Sequence, residues 1–279
     1  MSVRSVSAKV PAHAQLEGAG MVVHRTFPGT SLDMVDPFLL LDELGPAEFG
    51  PGEAPGFPDH PHRGFETVTY MLDGVMEHRD SAGHRGTIGP GDVQWMTAGA
   101  GIVHSEMPDA RGGRLHGFQL WVNLPAADKM SKPRYQELAA GEIPSWTEGG
   151  VTVKVLAGRS GGVDGRIETH LPITYLHARL DPGASLIQDV AAQLNAFVYL
   201  SAGSVTIADQ RVDAKATVVL SGDGDTIEVE TGDDGAELLL IAGTPLDEPV
   251  ARYGPFVMNT RAEIAEAVDD YRAGRMGVI

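Results

Sequence analysis

His60-Pro61-His62-Arg63-Gly64-Phe65-Glu66-Thr67-Val68-Thr69-Tyr70-Met71-Leu72 runs directly into Asp73-Gly74. From Glu66 to Leu72 the stretch is strand-length and rich in β-branched and aromatic residues, and Asp-Gly ends it as a turn. Moving outward, Asp92-Val93-Gln94-Trp95-Met96 and Leu115-His116-Gly117-Phe118-Gln119-Leu120-Trp121-Val122 repeat the pattern. With 35 glycines and 18 prolines spacing such runs, the chain reads as all-β, a sandwich or barrel of short strands.

The 279 residues suffice for one large domain or two ordinary ones. From about Pro125 to Pro144 the pattern gives way to PAADKMSKPRYQELAAGEIP, read as a linker, with a helical stretch around Asp128 to Ala140. A second set of strands follows at Val151 to Leu156, Thr174 to Leu180, Ala196 to Leu200, Thr217 to Leu220, Thr226 to Val229 and Glu237 to Ile241. We therefore expect an N-terminal domain over 1–130 and a C-terminal domain over 131–279. A helix is expected near 260–273, because Thr260 and Glu263 form a capping-box pair and Ile264, Val268 and Tyr271 fall on one stripe before Gly274.

Thirty-eight acidic against 21 basic residues give a formal charge of −17, which opposes direct contact with nucleic acid or anionic membranes. No apolar run approaches the roughly 20 residues of a membrane span, so a cytoplasmic location is expected. The absence of cysteine excludes thiolate ligands and disulfides, leaving nitrogen and oxygen donors for any metal.

Histidine placement is the most informative feature. Six of the ten, His60, His62, His78, His84, His104 and His116, lie between 60 and 116. His60 and His62 are two apart, as are His104 and Glu106, and residues two apart in extended backbone project to one face. If the two segments occupy neighbouring strands, four donors converge on one ion. Glu66 shares the parity of His60 and His62, provided Gly64 introduces no bulge. Three imidazoles and a carboxylate suit Fe(II), Mn(II), Co(II), Ni(II), Cu(II) or Zn(II) alike. Gly99-Ala100-Gly101 before the second pair permits close backbone approach. His78 and His84 flank Asp80-Ser81-Ala82-Gly83 and read as surface hydrogen-bonding residues, whereas Trp95, Trp121, Phe65, Phe118 and Tyr70 read as core.

Phe57-Pro58-Asp59-His60-Pro61-His62-Arg63-Gly64-Phe65-Glu66-Thr67-Val68-Thr69-Tyr70 and the segment from Gly91 through Trp95, Gly99, Gly101 and His104-Ser105-Glu106 to Pro108 resemble the two signature blocks of pirins, members of the cupin superfamily. His116 to Leu124 resembles the block that follows them. The C-terminal half is similar mainly in layout and in Gly254-Pro255-Phe256-Val257-Met258-Asn259-Thr260. The resemblance implies a bicupin of two double-stranded β-helix (jelly-roll) barrels, with one divalent metal, most simply Fe(II), on His60, His62, His104 and Glu106 of the N-terminal barrel. Glu66 takes a supporting role.

By the same resemblance, the expected activity is flavonol cleavage, as by pirin-type quercetin 2,3-dioxygenases. A small aromatic substrate and dioxygen are the partners, and Glu106 is the general base. The alternative is an iron-dependent, redox-responsive regulatory protein that binds another protein. A monomer is expected, and counting back from Gly203 reaches Asp189 and Ala191, so no second metal site is expected in the C-terminal half.

Overall fold

A computed structural model describes residues 2–279. Among the described residues it is a β protein with one α-helix, Arg261–Arg272, and it splits into two compact units. One comprises residues up to His13, Thr26–Pro37 and Gly141–Pro245. The other comprises Ala14–Arg25, Phe38–Ala140 and Leu246–Ile279. The units are thus not two consecutive stretches of chain.

The second of these carries the histidine pairs. A seven-stranded sheet runs in the order Arg134–Leu138, Val93–Thr97, Phe65–Asp73, Gly113–Asn123, Phe38–Phe49, Met21–Phe27, His13–Glu17. A four-stranded sheet runs Phe57–His62, Ile102–Pro108, Met76–Asp80, Arg85–Ile88. The Thr69 hydroxyl and the Gln119 amide of the larger sheet donate to Glu106 of the smaller one at 2.8 and 2.9 Å, so the inner faces of the two sheets meet. Val68, Tyr70, Trp95, Phe118 and Leu120 are fully buried between the strands, as their apolar character demands.

The expected helix spans Arg261–Arg272 with Thr260 as N-cap and the reciprocal Glu263 capping box formed. Ile264 and Ala267 are its buried residues, and they join Val103, Phe256, Met258 and Met276 in one apolar cluster. Tyr271, expected on the inner stripe, is 40% exposed, since the helix needs only a narrow apolar stripe to dock.

The helical stretch expected around Asp128 to Ala140 is absent. Residues 126–130 form turns, and Arg134–Leu138 is a strand paired with Val93–Thr97. Pro133 cannot continue a helix from the turn before it, and an edge strand needs only backbone groups to pair, not an apolar periodicity.

The other unit is built on a nine-stranded sheet whose main path runs Val6–Pro11, Ala216–Leu220, Asn195–Ile207, Thr226–Gly243, Ile173–Leu180, Val151–Ala157, Ser145–Glu148. Its interior is aliphatic: Val153, Leu176, Val198, Val218, Leu238 and Leu240 are fully buried, each contributing about 1.5–3 kcal/mol by leaving water. His177 reaches Glu237 at 2.8 Å, an ordinary hydrogen-bonding role. Arg4, fully buried, donates to the carbonyls of Gly224, Leu194, Val190 and Ala191. Among the described residues no helix is long and apolar enough to cross a membrane.

Candidate metal centre

The four-stranded sheet brings the two histidine pairs together. His104 lies opposite His60, and Ile102 opposite His62, in antiparallel register. On the far side of the same strand, His104 faces Asp80 and Glu106 faces His78. A slip of one residue would turn all of these side chains to the other face, so register is what assembles the site. Between His104 and Glu106 the pairing with Phe57–His62 shifts, Glu106 standing opposite Phe57, so that two residues, Pro58 and Asp59, stand against Ser105 alone next to His60.

The donor nitrogens of His60, His62 and His104 lie within 4.8 Å of one another. His62 and His104 are 2% and 1% exposed, and His60 is half-buried. Nδ1 of His60 is 2.8 Å from the Pro58 carbonyl and Nδ1 of His62 is 3.5 Å from the Pro255 carbonyl, so both rings carry their proton on Nδ1 and present a bare Nε2 inward. Those two Nε2 atoms are 3.0 Å apart. Nε2 of His104 is buried without a hydrogen-bond partner. Lone pairs held this close, with a buried acceptor left orphaned, are unfavourable unless a cation lies between them. The donor set therefore fits a divalent metal.

Burial above all, and then the neighbouring ring of His60, holds His62 well below the usual imidazole range. Burial, with His62, His60 and His78, does the same to His104. Both rings are thus kept in the neutral form that can bind a metal. Around them, Phe65 packs on Trp121 at 4.3 Å between ring centroids, and His62 lies 5.0 Å from Phe65 and 5.2 Å from Trp121.

Glu106 is 2% exposed and shares the strand of His104, but it lies outside the group of donors that fall within 4.8 Å of each other. Its two oxygens accept from Thr69 and Gln119, and Gln119 in turn accepts from the Trp121 indole at 3.2 Å. Glu66 is separated from the histidines by Gly64, whose φ of +89° turns the chain from one sheet into the other. Parity therefore does not run through that turn, and the Glu66 carboxylate accepts from Thr97 at 2.7 Å.

Of the two histidines read as surface hydrogen-bonding residues, His84 keeps that role and His78 does not. His78 is 2% exposed and lies on the inner face, its Nε2 3.2 Å from Nδ1 of His104. His84 stacks on Tyr135 and reaches Glu137 at 3.0 Å. Alternation along Met76–Asp80, with Met76, His78 and Asp80 all buried, was the available signal. His116, also buried, pairs with Glu43 at 2.8 Å.

A β-barrel whose inner face holds three convergent imidazoles, with a buried carboxylate on the strand of one of them, defines a cupin-type site that could hold a metal. Two family models match the chain, Pirin over residues 20–122 and the Pirin C-terminal cupin domain over residues 175–277. The chain belongs to the pirin family, as a bicupin. It is 46% identical to Pirin of Rattus norvegicus, over 99% of this chain and 94% of that protein. It is 47% identical to a Pirin-like protein of Solanum lycopersicum, over 98% and 93%. Among solved structures, a quercetin 2,3-dioxygenase from Acinetobacter baumannii superposes with a TM-score of 0.94 at 36% identity, covering all of both chains.

Proposed function

We propose that the protein is a metal-dependent dioxygenase that cleaves a flavonol such as quercetin with release of carbon monoxide. One divalent metal, most simply Fe(II), would be held by His60, His62, His104 and Glu106. The observation that carries this reading is the convergence of the His60, His62 and His104 donor nitrogens, with the orphaned Nε2 of His104 among them. The likeness to the A. baumannii enzyme supports the choice of substrate class.

When bound, such a metal supplies a Lewis-acidic centre for the 3-hydroxyl and carbonyl oxygens of a flavonol and acidifies the hydroxyl. Glu106 would accept that proton. Thr69 and Gln119 hold its carboxylate in one orientation, and each oxygen keeps a second lone pair, so one can face the metal and the other take the proton. Phe65 and Trp121 give the centre an apolar flank that keeps water from the deprotonated ring. The electron-rich heterocycle then takes up dioxygen at C2, opens and loses carbon monoxide. The reading takes the protein as a cytoplasmic monomer.

A second reading, an iron-dependent redox-responsive protein that binds another protein without turnover, is favoured by its relatives at 46–47% identity being named only Pirin or Pirin-like. Anaerobic reconstitution with Fe(II), followed by oxygen and spectroscopic monitoring of quercetin, separates the two. Metal-dependent loss of quercetin that vanishes in His60→Ala is the expected result. An iron-loaded protein that leaves quercetin intact would sink the dioxygenase reading and favour the second.

A further inference from the structure

A second line of polar rings lies behind the three imidazoles. His78 Nε2 is 3.2 Å from His104 Nδ1 and 3.4 Å from the Tyr135 hydroxyl. Tyr135 stacks on His84 with 4.5 Å between centroids and 21° between planes. His84 Nε2 is 3.0 Å from Glu137, which also accepts from Gln94 at 2.7 Å. The line thus leads from a buried imidazole to the exposed Glu137 on the edge strand Arg134–Leu138.

An imidazole that binds metal through Nε2 carries its proton on Nδ1 and needs an acceptor there, which fixes both tautomer and ring orientation. His60 and His62 find main-chain carbonyls, those of Pro58 and Pro255. Among the described residues His104 meets neither a carbonyl nor a carboxylate at that position; what stands there is His78 Nε2. For that contact to be attractive, His78 must offer a lone pair, so its own proton sits on Nδ1, an atom with no partner among the described residues. The ring is therefore held by its Nε2 side and by packing against Tyr135, 5.1 Å away between centroids.

We infer that His78 is the positioning residue of the metal centre. Its Nε2 accepts the Nδ1 proton of His104 and so aims His104 Nε2 inward, while the Tyr135–His84–Glu137 line holds His78 in place. This deepens the metal-site reading and rests on it. It also makes His104 the ligand whose second nitrogen is answered by a replaceable side chain instead of the backbone.

Zn(II) titration of the whole protein tests the inference, with wild type, His104→Leu, His78→Leu and His78→Gln compared. Wild type should bind one zinc and His104→Leu should lose it. His78→Leu, which removes the acceptor, should weaken binding about 10- to 100-fold, and His78→Gln, whose amide oxygen can accept, should recover most of that loss. In the zinc-loaded wild type, ¹⁵N NMR should find both His78 and His104 protonated at Nδ1. That spectrum decides the matter even if His78→Leu fails to fold. A folded His78→Leu with unchanged zinc affinity, or a His78 proton on Nε2, overturns the inference while leaving the metal site standing. A wild type that binds no zinc overturns both.

Discussion

Gly64 is the residue on which the site's geometry turns. Its φ of +89° lies in the left-handed region, and a Cβ there would stand 2.0 Å from the Val257 carbonyl oxygen. Its amide donates to the Gly99 carbonyl at 2.8 Å, tying the turn after His62 to the turn before His104. Arg63 reinforces the same junction, donating to the Ala100 carbonyl and to Asp270 at 2.6 Å each. Gly64→Ala meets both the backbone strain and the clash. It should lower stability by more than about 1 kcal/mol, read as a shift in the urea midpoint. Zinc affinity should fall with it; an Ala variant of unchanged midpoint and affinity would show that the turn relaxes freely. At this scale the donors His60, His62 and His104 were legible because a two-residue period needs no knowledge of the fold. His78 was not, because its neighbour His104 is distant in sequence and only strand pairing brings them together.

Among the elements, the connection between Gly113–Asn123 and Arg134–Leu138 departs most from what its sequence suggests. Polar overall, it nevertheless buries Lys129, whose ammonium donates to the Gly64 carbonyl, the Asn123 amide oxygen and the Val257 carbonyl at 2.8, 2.6 and 3.1 Å. One side chain thus joins the ligand-bearing turn, the end of a strand and the C-terminal hairpin Ala251–Tyr253/Phe256–Met258. Burial pushes its pKa down to about 8 from an ordinary value of 10.5. Between those values the unfolded chain holds a proton that the folded chain has shed, so raising the pH across the window favours the folded state. Wild type should gain stability relative to Lys129→Met from pH 8 to 10, with a slope of at most about 1.4 kcal/mol per pH unit. Equal pH profiles of the two melting temperatures would mean that the ammonium is not desolvated as the contacts imply. Periodicity missed the strand Arg134–Leu138 and this lysine for one reason. An edge strand and a satisfied buried cation are specified by partners elsewhere in the chain, not by an apolar pattern of their own.

For the molecule as a whole, the order of the chain does not match the order of its compact units. The opening strand Val6–Pro11 pairs with Ala216–Leu220, and residues from Leu246 onward belong with the histidine-bearing unit. Arg4 is the clearest consequence: it is fully buried among carbonyls of residues 190–224, far from it in sequence. Arg4→Ala would strand those carbonyls and should cost about 2 kcal/mol or more in denaturant unfolding. Hydrogen exchange should quicken in Ala216–Leu220 beside it, and unaltered protection there would show that the strand docks without its arginine.

The sequence by itself determined the class of fold, the C-terminal helix with its capping box, and the pairing of His60 with His62 and of His104 with Glu106. Each of these depends on residue type and on spacings of a few positions, which short-range sterics convert into a face or a cap. Tertiary structure decided the rest. It set the register that places His104 opposite His60, turned Glu66 onto the other sheet at Gly64, brought His78 behind His104, and gave each unit a terminal segment from the opposite end of the chain. Those outcomes depend on hydrogen bonds and packing between residues tens to hundreds of positions apart, and no local pattern encodes which of many possible partners a strand edge or a buried polar group will meet.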